Sequence, residues 1–160
     1  MTSVDEHFVA EARRYLRSVY IEKIERCLET LTDEDVWWRP NEESNSIGNL
    51  LLHLNGSTRM WIVSGVGGAA DLRERQQEFD ERALITTAEL RGNLRATLEE
   101  ADKVLADVEI ETLTERRQVR DSEVTVLEAI FHAVEHFAMH TGQIIMLAKM
   151  RAKRDLRLSE

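Results

Sequence analysis

Apolar residues recur every three or four positions along four long stretches of the chain. The first covers residues 4 to about 30, the second 47 to about 64, the third 86 to about 108, and the fourth 125 to about 150. This spacing places the apolar side chains on one face of a helix and the charged side chains on the other. Four such helices in one chain predict an all-α protein folded as a four-helix bundle.

A hydroxyl residue stands where each predicted helix begins. Ser3, Thr86 and Thr125 are each followed three residues later by glutamate. This pattern predicts a capping box, in which the two side chains satisfy free backbone N–H groups at the helix start. Ser46 is the predicted N-cap of the second helix, and the glycine cluster of residues 65–68 is predicted to end it.

The remaining segments are predicted as connections. Residues 31–45 contain the only proline, and residues 71–82 are highly charged, which predicts a loop or a short exposed turn. Residues 109–123 are polar and irregular, with a short extended segment around residues 117–119. The mostly polar tail, residues 151–160, is predicted to be frayed.

Composition narrows the class of protein. A chain of 160 residues is most simply one domain, residues 1–160, and its net charge of -9 disfavours binding to nucleic acid. The single cysteine, Cys27, excludes an internal disulfide and indicates a reducing, cytoplasmic location. No apolar run approaches the roughly 20 residues of a membrane span, so no membrane association is expected.

Histidine is the residue type that indicates chemistry. His132, His136 and His140 follow one another at spacings of four, so that His136 and His140 project from nearly the same face of the fourth helix. Such a pair can share one metal ion, and a third ligand would complete the site. His53 is the better candidate for it, because an unpaired imidazole is costly to bury in its apolar segment. His7 lies among acidic residues near the N-terminus and is interpreted as solvated.

Other interpretations of these histidines remain open. His136 and His140 could be core residues hydrogen-bonded to their neighbours. His132 lies about 80° around the helix from His140 and is interpreted as a structural residue, or as an outer partner of a ligand. The spacing excludes a His-Glu-x-x-His protease, because Phe137 occupies the position of its glutamate.

Three neutral imidazoles suit zinc, nickel or iron(II) and leave at least one coordination position open. An open position is typical of a catalytic site, since structural zinc usually has four protein ligands. The residues therefore predict a divalent metal centre of His53, His136 and His140, although no nucleophile or general base is evident beside them.

Two segments carry a family resemblance. His53 lies within Asn-Leu-Leu-Leu-His-Leu-Asn-Gly, and His136 and His140 lie within Glu-His-Phe-Ala-Met-His-Thr-Gly-Gln-Ile. Over nearly its whole length the chain resembles the DinB-like superfamily of metal-binding four-helix bundles. The best match is a subfamily of unassigned function, through residues 45–50 and 61–68. The resemblance implies the same three histidine ligands, a connectivity unlike a simple up-down-up-down bundle, and a homodimer.

The resemblance also suggests two functions. Some members of the superfamily are metal-dependent transferases or isomerases that use a low-molecular-weight thiol, which favours a thiol S-transferase with a small-molecule substrate. The alternative is a non-catalytic metal- or ligand-binding, stress-related bundle. For an enzyme, the residues expected around the substrate are Asn49, Arg59, Trp61 and Gln143.

Overall fold

The computed structural model describes residues 3–152 and Leu156. In chain order the helices are α1 (Val4–Arg14), α2 (Ile21–Leu28), α3 (Asp33–Trp37), α4 (Ile47–Thr58), α5 (Arg75–Asp80), α6 (Thr87–Ala106) and α7 (Val126–Ala152). Two π-helical segments, Tyr15–Tyr20 and Arg59–Val66, follow α1 and α4, and a 3₁₀ turn spans Ile110–Thr112. Two strands, β1 (Arg116–Val119) and β2 (Ser122–Thr125), precede α7.

The four predicted helices are all present. The first runs without interruption from α1 through Tyr15–Tyr20 into α2, and the second consists of α4 and Arg59–Val66. The third and fourth are α6 and α7. Because helices dominate the described part of the chain, the prediction of an all-α fold is confirmed.

Side-chain caps fix where these helices begin. Ser3 forms the predicted capping box with Glu6. Ser46 is the N-cap of α4 as predicted, and it also forms a capping box with Asn49. Thr125 and Glu128 exchange the same pair of hydrogen bonds at the start of α7. Thr86 accepts the backbone N–H of Glu89 at 3.2 Å. Each cap satisfies N–H groups that the helix itself leaves without a partner.

Helix α4 is central to the packing, because it contacts α3, α5, α6 and α7. Its apolar side chains join those of the other long helices in one core, as the helical spacing predicts. The largest fully buried side chains of the core are those of Phe137, Ile24, Ile47, Leu51, Leu54, Ile62, Leu94, Leu105, Ile130 and Ile144.

Two predicted connections contain helices that the sequence pattern did not indicate. Residues 31–45 include α3, which begins with a capping box of Thr32 and Asp35. Residues 71–82 include α5, and the prediction of an exposed turn there is wrong for two side chains. Those of Arg73 and Glu78 are only 7% and 10% exposed, because they dock against α4.

The extended segment predicted near residue 117 is the first strand of a β-hairpin. Strand β1 pairs antiparallel with β2, so that Arg116 lies opposite Thr125 and Val119 opposite Ser122. Arg120, in the turn, has a φ of 51°. The Val119 side chain is buried against Gly65, where an added Cβ would lie 2.7 Å from Cγ2 of Val119. This contact holds the hairpin against the π-helical end of the second helix.

The glycine cluster ends that helix as predicted. Gly67 is its C-cap residue, and Gly68 has a φ of 77°, which glycine adopts without strain. Most of the tail predicted to be frayed lies outside the described residues, but α7 extends to Ala152 and Arg151 pairs with Asp35. Within residues 3–152, no helix is both long and apolar enough to cross a membrane.

An ionic contact joins the first long helix to α6. Asp102 accepts hydrogen bonds from Arg13 at 2.8 Å and from Arg17 at 2.9 Å, and its side chain is 14% exposed. The hydrogen bond from Arg13 outweighs burial and lowers the pKa of the Asp102 carboxyl.

We expect Asp102→Asn to lower the free energy of unfolding at neutral pH by about 1 kcal/mol, since the carboxylate is paired but not fully desolvated. A lowered carboxyl pKa stabilises the fold above the unfolded-state value of about 3.9. That contribution disappears as the pH falls through the lower pKa of the folded protein. Urea unfolding at several pH values measures the difference. Glu123→Gln, which removes an exposed carboxylate 3.7 Å from Arg116, is the control, and an equal loss there would contradict the prediction.

Candidate metal centre

Two helices bring together the three histidines that the sequence singles out. His53 projects from α4, and His136 and His140 project from α7 one turn apart. Nε2 of His136 lies 3.1 Å from Nε2 of His53 and 3.1 Å from Nε2 of His140. His53 and His140 are buried, and His136 is half-buried. The three side chains form one cluster that could hold a metal ion.

Each ring has a hydrogen-bond partner on its other nitrogen. Nδ1 of His53 lies 2.9 Å from a carboxylate oxygen of Glu78, and Nδ1 of His140 lies 2.7 Å from the amide oxygen of Gln143. Nδ1 of His136 lies 3.3 Å from the hydroxyl of Ser57. Partners of this kind fix the orientation of a ligand imidazole and the nitrogen that carries its proton.

The partners of His53 and His140 determine which nitrogen of each ring carries the proton. The Glu78 carboxylate and the Gln143 amide oxygen can only accept, so Nδ1 of His53 and Nδ1 of His140 carry protons and donate to them. The neutral rings then direct unprotonated Nε2 atoms towards His136. Nδ1 of His136 faces a hydroxyl, which can donate as well as accept, so Nε2 of His136 can either donate to one of these lone pairs or, when unprotonated, share a cation with both. The arrangement therefore matches the donor set that a metal ion requires.

Electrostatics keep the rings of His136 and His140 in the neutral form that binds metals. Burial, reinforced by the neighbouring His140 and His53, lowers the pKa of His136 to about 3. Burial also lowers the pKa of His140, although the hydrogen bond with Gln143 acts in the opposite direction. Both rings are therefore uncharged at neutral pH, and each has one ring nitrogen without a proton that can bind an ion.

The spacing of the nitrogens also fits a metal. Tetrahedral zinc with Zn–N bonds of about 2.0–2.1 Å requires ligand nitrogens about 3.3 Å apart. The two short separations of 3.1 Å are close to that value, and all three ligand atoms lie within 4.8 Å of one another. A small adjustment of the rings would accommodate an ion with one or more positions left for another ligand.

A buried ion pair that the sequence analysis missed supports His53. Arg73 binds both oxygens of Glu78, with Nε 2.6 Å from Oε1 and Nη2 2.8 Å from Oε2. Nη2 also lies 3.0 Å from Nδ1 of His53. Burial alone would raise the pKa of the Glu78 carboxyl, but the hydrogen bonds from Arg73 and His53 hold it below its usual value. Glu78 is therefore an ionised acceptor for His53.

Gly56 leaves the space that this ion pair occupies. It lies one turn after His53, and an added Cβ there would be 2.0 Å from Oε1 of Glu78 and 2.9 Å from Nε of Arg73. The small residue beside His53 is the one signal in the sequence that could have pointed to a partner from elsewhere. It makes room for the partner of the ligand rather than for the ion.

Of the residues expected around the substrate, Asn49 and Gln143 use their side-chain amides for hydrogen bonds within the protein. Asn49 is fully buried, and its side-chain amide donates to the carbonyl oxygens of Glu78 and Glu81 at 2.8 and 3.2 Å. It therefore holds α5 against α4 and does not face a substrate. Gln143 has its amide oxygen on Nδ1 of His140, so its role is to orient a ligand.

Arg59 and Trp61 differ in where they point. Arg59 forms an exposed ion pair with Glu100 at 2.6 Å and does not line the cavity beside the histidines. Trp61 does line that cavity, as expected. Its ring centre is 4.3 Å from that of His132, which in turn lies 5.4 Å from the ring centre of His136. His132 is therefore part of an aromatic wall.

The outer-partner interpretation of His132 receives no support from its contacts. Nδ1 of His132 lies 3.3 Å from a carboxylate oxygen of Glu135 on the same helix. Among the described residues, none of the hydrogen bonds to the three ligand candidates comes from His132. Glu78, Ser57 and Gln143 occupy those positions instead.

The comparison with known families decides the classification. Residues 3–159 match the family described as protein of unknown function DUF1572. The chain belongs to the DUF1572 family. No curated protein matches this member.

Solved structures show that this DUF1572 chain has a DinB-like fold. It is similar to a DinB-like protein, YjoA, from Bacillus subtilis, with 19% identity over 90% of each chain and a TM-score of 0.65. A DinB-like protein from Bacillus cereus matches with 16% identity over 83% of this chain and 86% of the other, with a TM-score of 0.66. A conserved protein from Enterococcus faecalis matches with 15% identity over 96% of this chain and all of its own, with a TM-score of 0.78. The DinB-like fold that the resemblance implies is thereby confirmed.

A cavity of about 340 Å³ opens beside the three histidines. His53 and His136 form part of its wall, together with Trp61 and His132. The β-hairpin contributes Val119 and the residues that follow it to the same wall. In this DUF1572 protein a small molecule in the cavity would therefore be next to His53 and His136.

We expect Gly56→Ala to weaken metal binding by about tenfold or more, the usual effect of losing a partner of a metal-bound histidine. The added methyl group would displace the Glu78 carboxylate, and His53 would lose its acceptor. Competition titrations with a chromogenic zinc chelator measure the affinity.

Gly92→Ala is the matched control. Gly92 lies on α6, and an added Cβ there meets nothing within 4 Å. This change should leave metal affinity unaltered and raise the free energy of unfolding by up to about 1 kcal/mol through helix propensity alone. Equal metal affinities for Gly56→Ala, Gly92→Ala and the parent would disprove the role assigned to the Arg73–Glu78 pair.

Proposed function

We propose that this protein is a metal-dependent enzyme that transfers a low-molecular-weight thiol to an electrophilic small molecule. The ion would be zinc, nickel or iron(II), held by His53, His136 and His140. The observation that carries the proposal is the convergence of three imidazole nitrogens whose opposite ring nitrogens already have hydrogen-bond partners. The homodimer and the identity of the thiol stay predictions.

Three features favour catalysis over a structural ion. The cluster supplies three ligands, and no fourth histidine, cysteine or carboxylate joins it among the described residues. Two of the ligands face a cavity large enough for a small molecule. Glu78 lies behind His53 rather than in the cavity, so its charge tunes the ligand and leaves the open side available.

The chain offers no thiol of its own at this site. Cys27, on α2, is fully buried, and burial raises its pKa to about 11. A buried thiol that stays protonated is a poor nucleophile. A transferase built on this site would therefore take its sulfur nucleophile from a substrate, which favours an exogenous thiol.

The proposed reaction is a substitution at carbon. An ion at the site supplies positive charge that lowers the pKa of a thiol beside it, as it does for water. The thiol releases its proton to solvent, and the sulfur lone pair forms a bond to the electrophilic carbon. The bond from that carbon to the leaving group breaks, and the leaving group departs with the electron pair.

Within this scheme the residues of the chain have separate roles. Glu78 and Gln143 keep the two flanking imidazoles in the tautomer that directs Nε2 to the centre. Trp61 and His132 present an aromatic wall against which an apolar part of a substrate can pack. The hairpin contributes Val119 and Ser122 to the wall of the cavity.

Metal analysis and turnover together test the proposal. Zinc- and nickel-loaded protein should bind about one equivalent of metal and accelerate conjugation of a small thiol with chlorodinitrobenzene, measured by absorbance. His136→Ala should lose both the ion and the activity. His7→Ala, which removes an exposed histidine remote from the cluster, should retain both.

The outcomes separate the two candidate functions. A bound equivalent of metal without turnover for a panel of thiols and electrophiles would favour the non-catalytic metal- or ligand-binding bundle. Failure of the parent protein to bind zinc, nickel or iron(II) would overturn both functions. The histidines would then be core residues paired with Glu78, Ser57 and Gln143.

A further inference from the structure

The cavity beside the histidines is lined by an unusual number of cations for so acidic a chain. Arg73, Arg75 and Arg120 contribute to its wall, against one carboxylate, Asp121. The whole chain carries a formal charge of -9. A guanidinium in such a wall attracts an anion only if no carboxylate already neutralises it, so the partners of each one decide which could bind a ligand.

Two of the three guanidinium groups are already neutralised. Arg73 is bound to both oxygens of Glu78. Nε of Arg120 binds Asp71, and its Nη2 donates to the backbone carbonyl of Arg73. Hydrogen bonds of this kind satisfy the charge and hold both side chains in place. Neither is a strong candidate for binding a ligand.

Arg75 differs from both. Its guanidinium carbon lies 4.9 Å from the ring centre of Phe79, and no carboxylate of residues 3–152 forms an ion pair with it. The Phe79 ring in turn lies 4.8 Å from the ring centre of His53. One aromatic ring thus separates the unpaired cation from a metal ligand. The cation–π contact positions the guanidinium without consuming its N–H donors.

We propose that the thiol substrate carries a carboxylate, which Arg75 binds while the sulfur reaches the three histidines. This inference rests on the proposed function and adds the class of substrate to it. A guanidinium presents two parallel N–H donors that match the two oxygens of a carboxylate. Trp61 and His132 line the same cavity as Arg75.

The remaining charges favour a carboxylate over a phosphate. Of the three guanidinium groups in this wall, only that of Arg75 has no carboxylate partner among the described residues, and it can neutralise one negative charge. Asp121 lies in the same wall and is exposed, so it would repel the second charge of a phosphate monoester. A singly charged planar anion therefore fits the group that is available.

Three small thiols of similar size provide the test: mercaptopropionate, which is anionic, mercaptoethanol, which is neutral, and cysteamine, which is cationic. Each is titrated into cobalt(II)-loaded protein, and the near-ultraviolet sulfur-to-cobalt charge-transfer band reports binding. The experiment is repeated with Arg75→Gln. For each thiol the ratio of the two dissociation constants cancels the intrinsic acidity of that thiol.

We expect Arg75→Gln to weaken mercaptopropionate about fivefold, as for a partly exposed ion pair. It should change the dissociation constant of mercaptoethanol by less than about twofold. It should slightly strengthen the binding of cysteamine, because a repulsive charge is removed. Raising the ionic strength should weaken the binding of mercaptopropionate to the parent and so reduce its difference from Arg75→Gln. Arg59→Gln is the matched control, since it removes the same charge from outside the cavity.

The results distinguish this inference from the function on which it rests. If all three thiols give the band and Arg75→Gln changes their affinities equally, or not at all, the carboxylate site is disproved while thiol binding stands. An equal loss in Arg59→Gln would also disprove it, because the effect would be one of net charge. If no thiol gives the band with cobalt bound, thiol transfer and this inference are both overturned.

Discussion

The convergence of three imidazole Nε2 atoms in a largely buried place is the constraint on which this structure depends. Polar atoms in such a place are unfavourable unless each is hydrogen-bonded or bound to a cation. The chain meets this constraint by giving every ring a partner on its far nitrogen: Glu78, Ser57 or Gln143. Helix positions, caps and the docking of α5 all contribute to keeping those partners in place.

The helices and the three histidines could be predicted because their signals are local. A period of three or four residues and a serine or threonine cap describe α1, α4, α6 and α7 without knowledge of the fold. The spacing of four places His136 and His140 together in the same way. The prediction of His53 needed one further argument, the cost of burying an unpaired imidazole. The structure places His53 in one cluster with His136 and His140.

The partners of the histidines could not be predicted, since their positions depend on distant contacts. A charged stretch such as residues 71–82 has the composition of a solvated loop, and only docking against Gly56 buries Arg73 and Glu78. Asn49 shows the reverse error. It lies one turn before His53 and was expected to face a substrate, yet its amide is used to hold the backbone of α5.

The distance along the chain between the histidines has a consequence for folding. His53 and His136 are 83 residues apart, so their rings meet only after the segment between them has closed into a loop. During synthesis, His53 is made 83 residues before His136, so neither His136 nor His140 is available to it at that stage. An ion bound across α4 and α7 would then act as a late-formed crosslink. It would slow the separation of these two helices more than it would slow fluctuations within either helix.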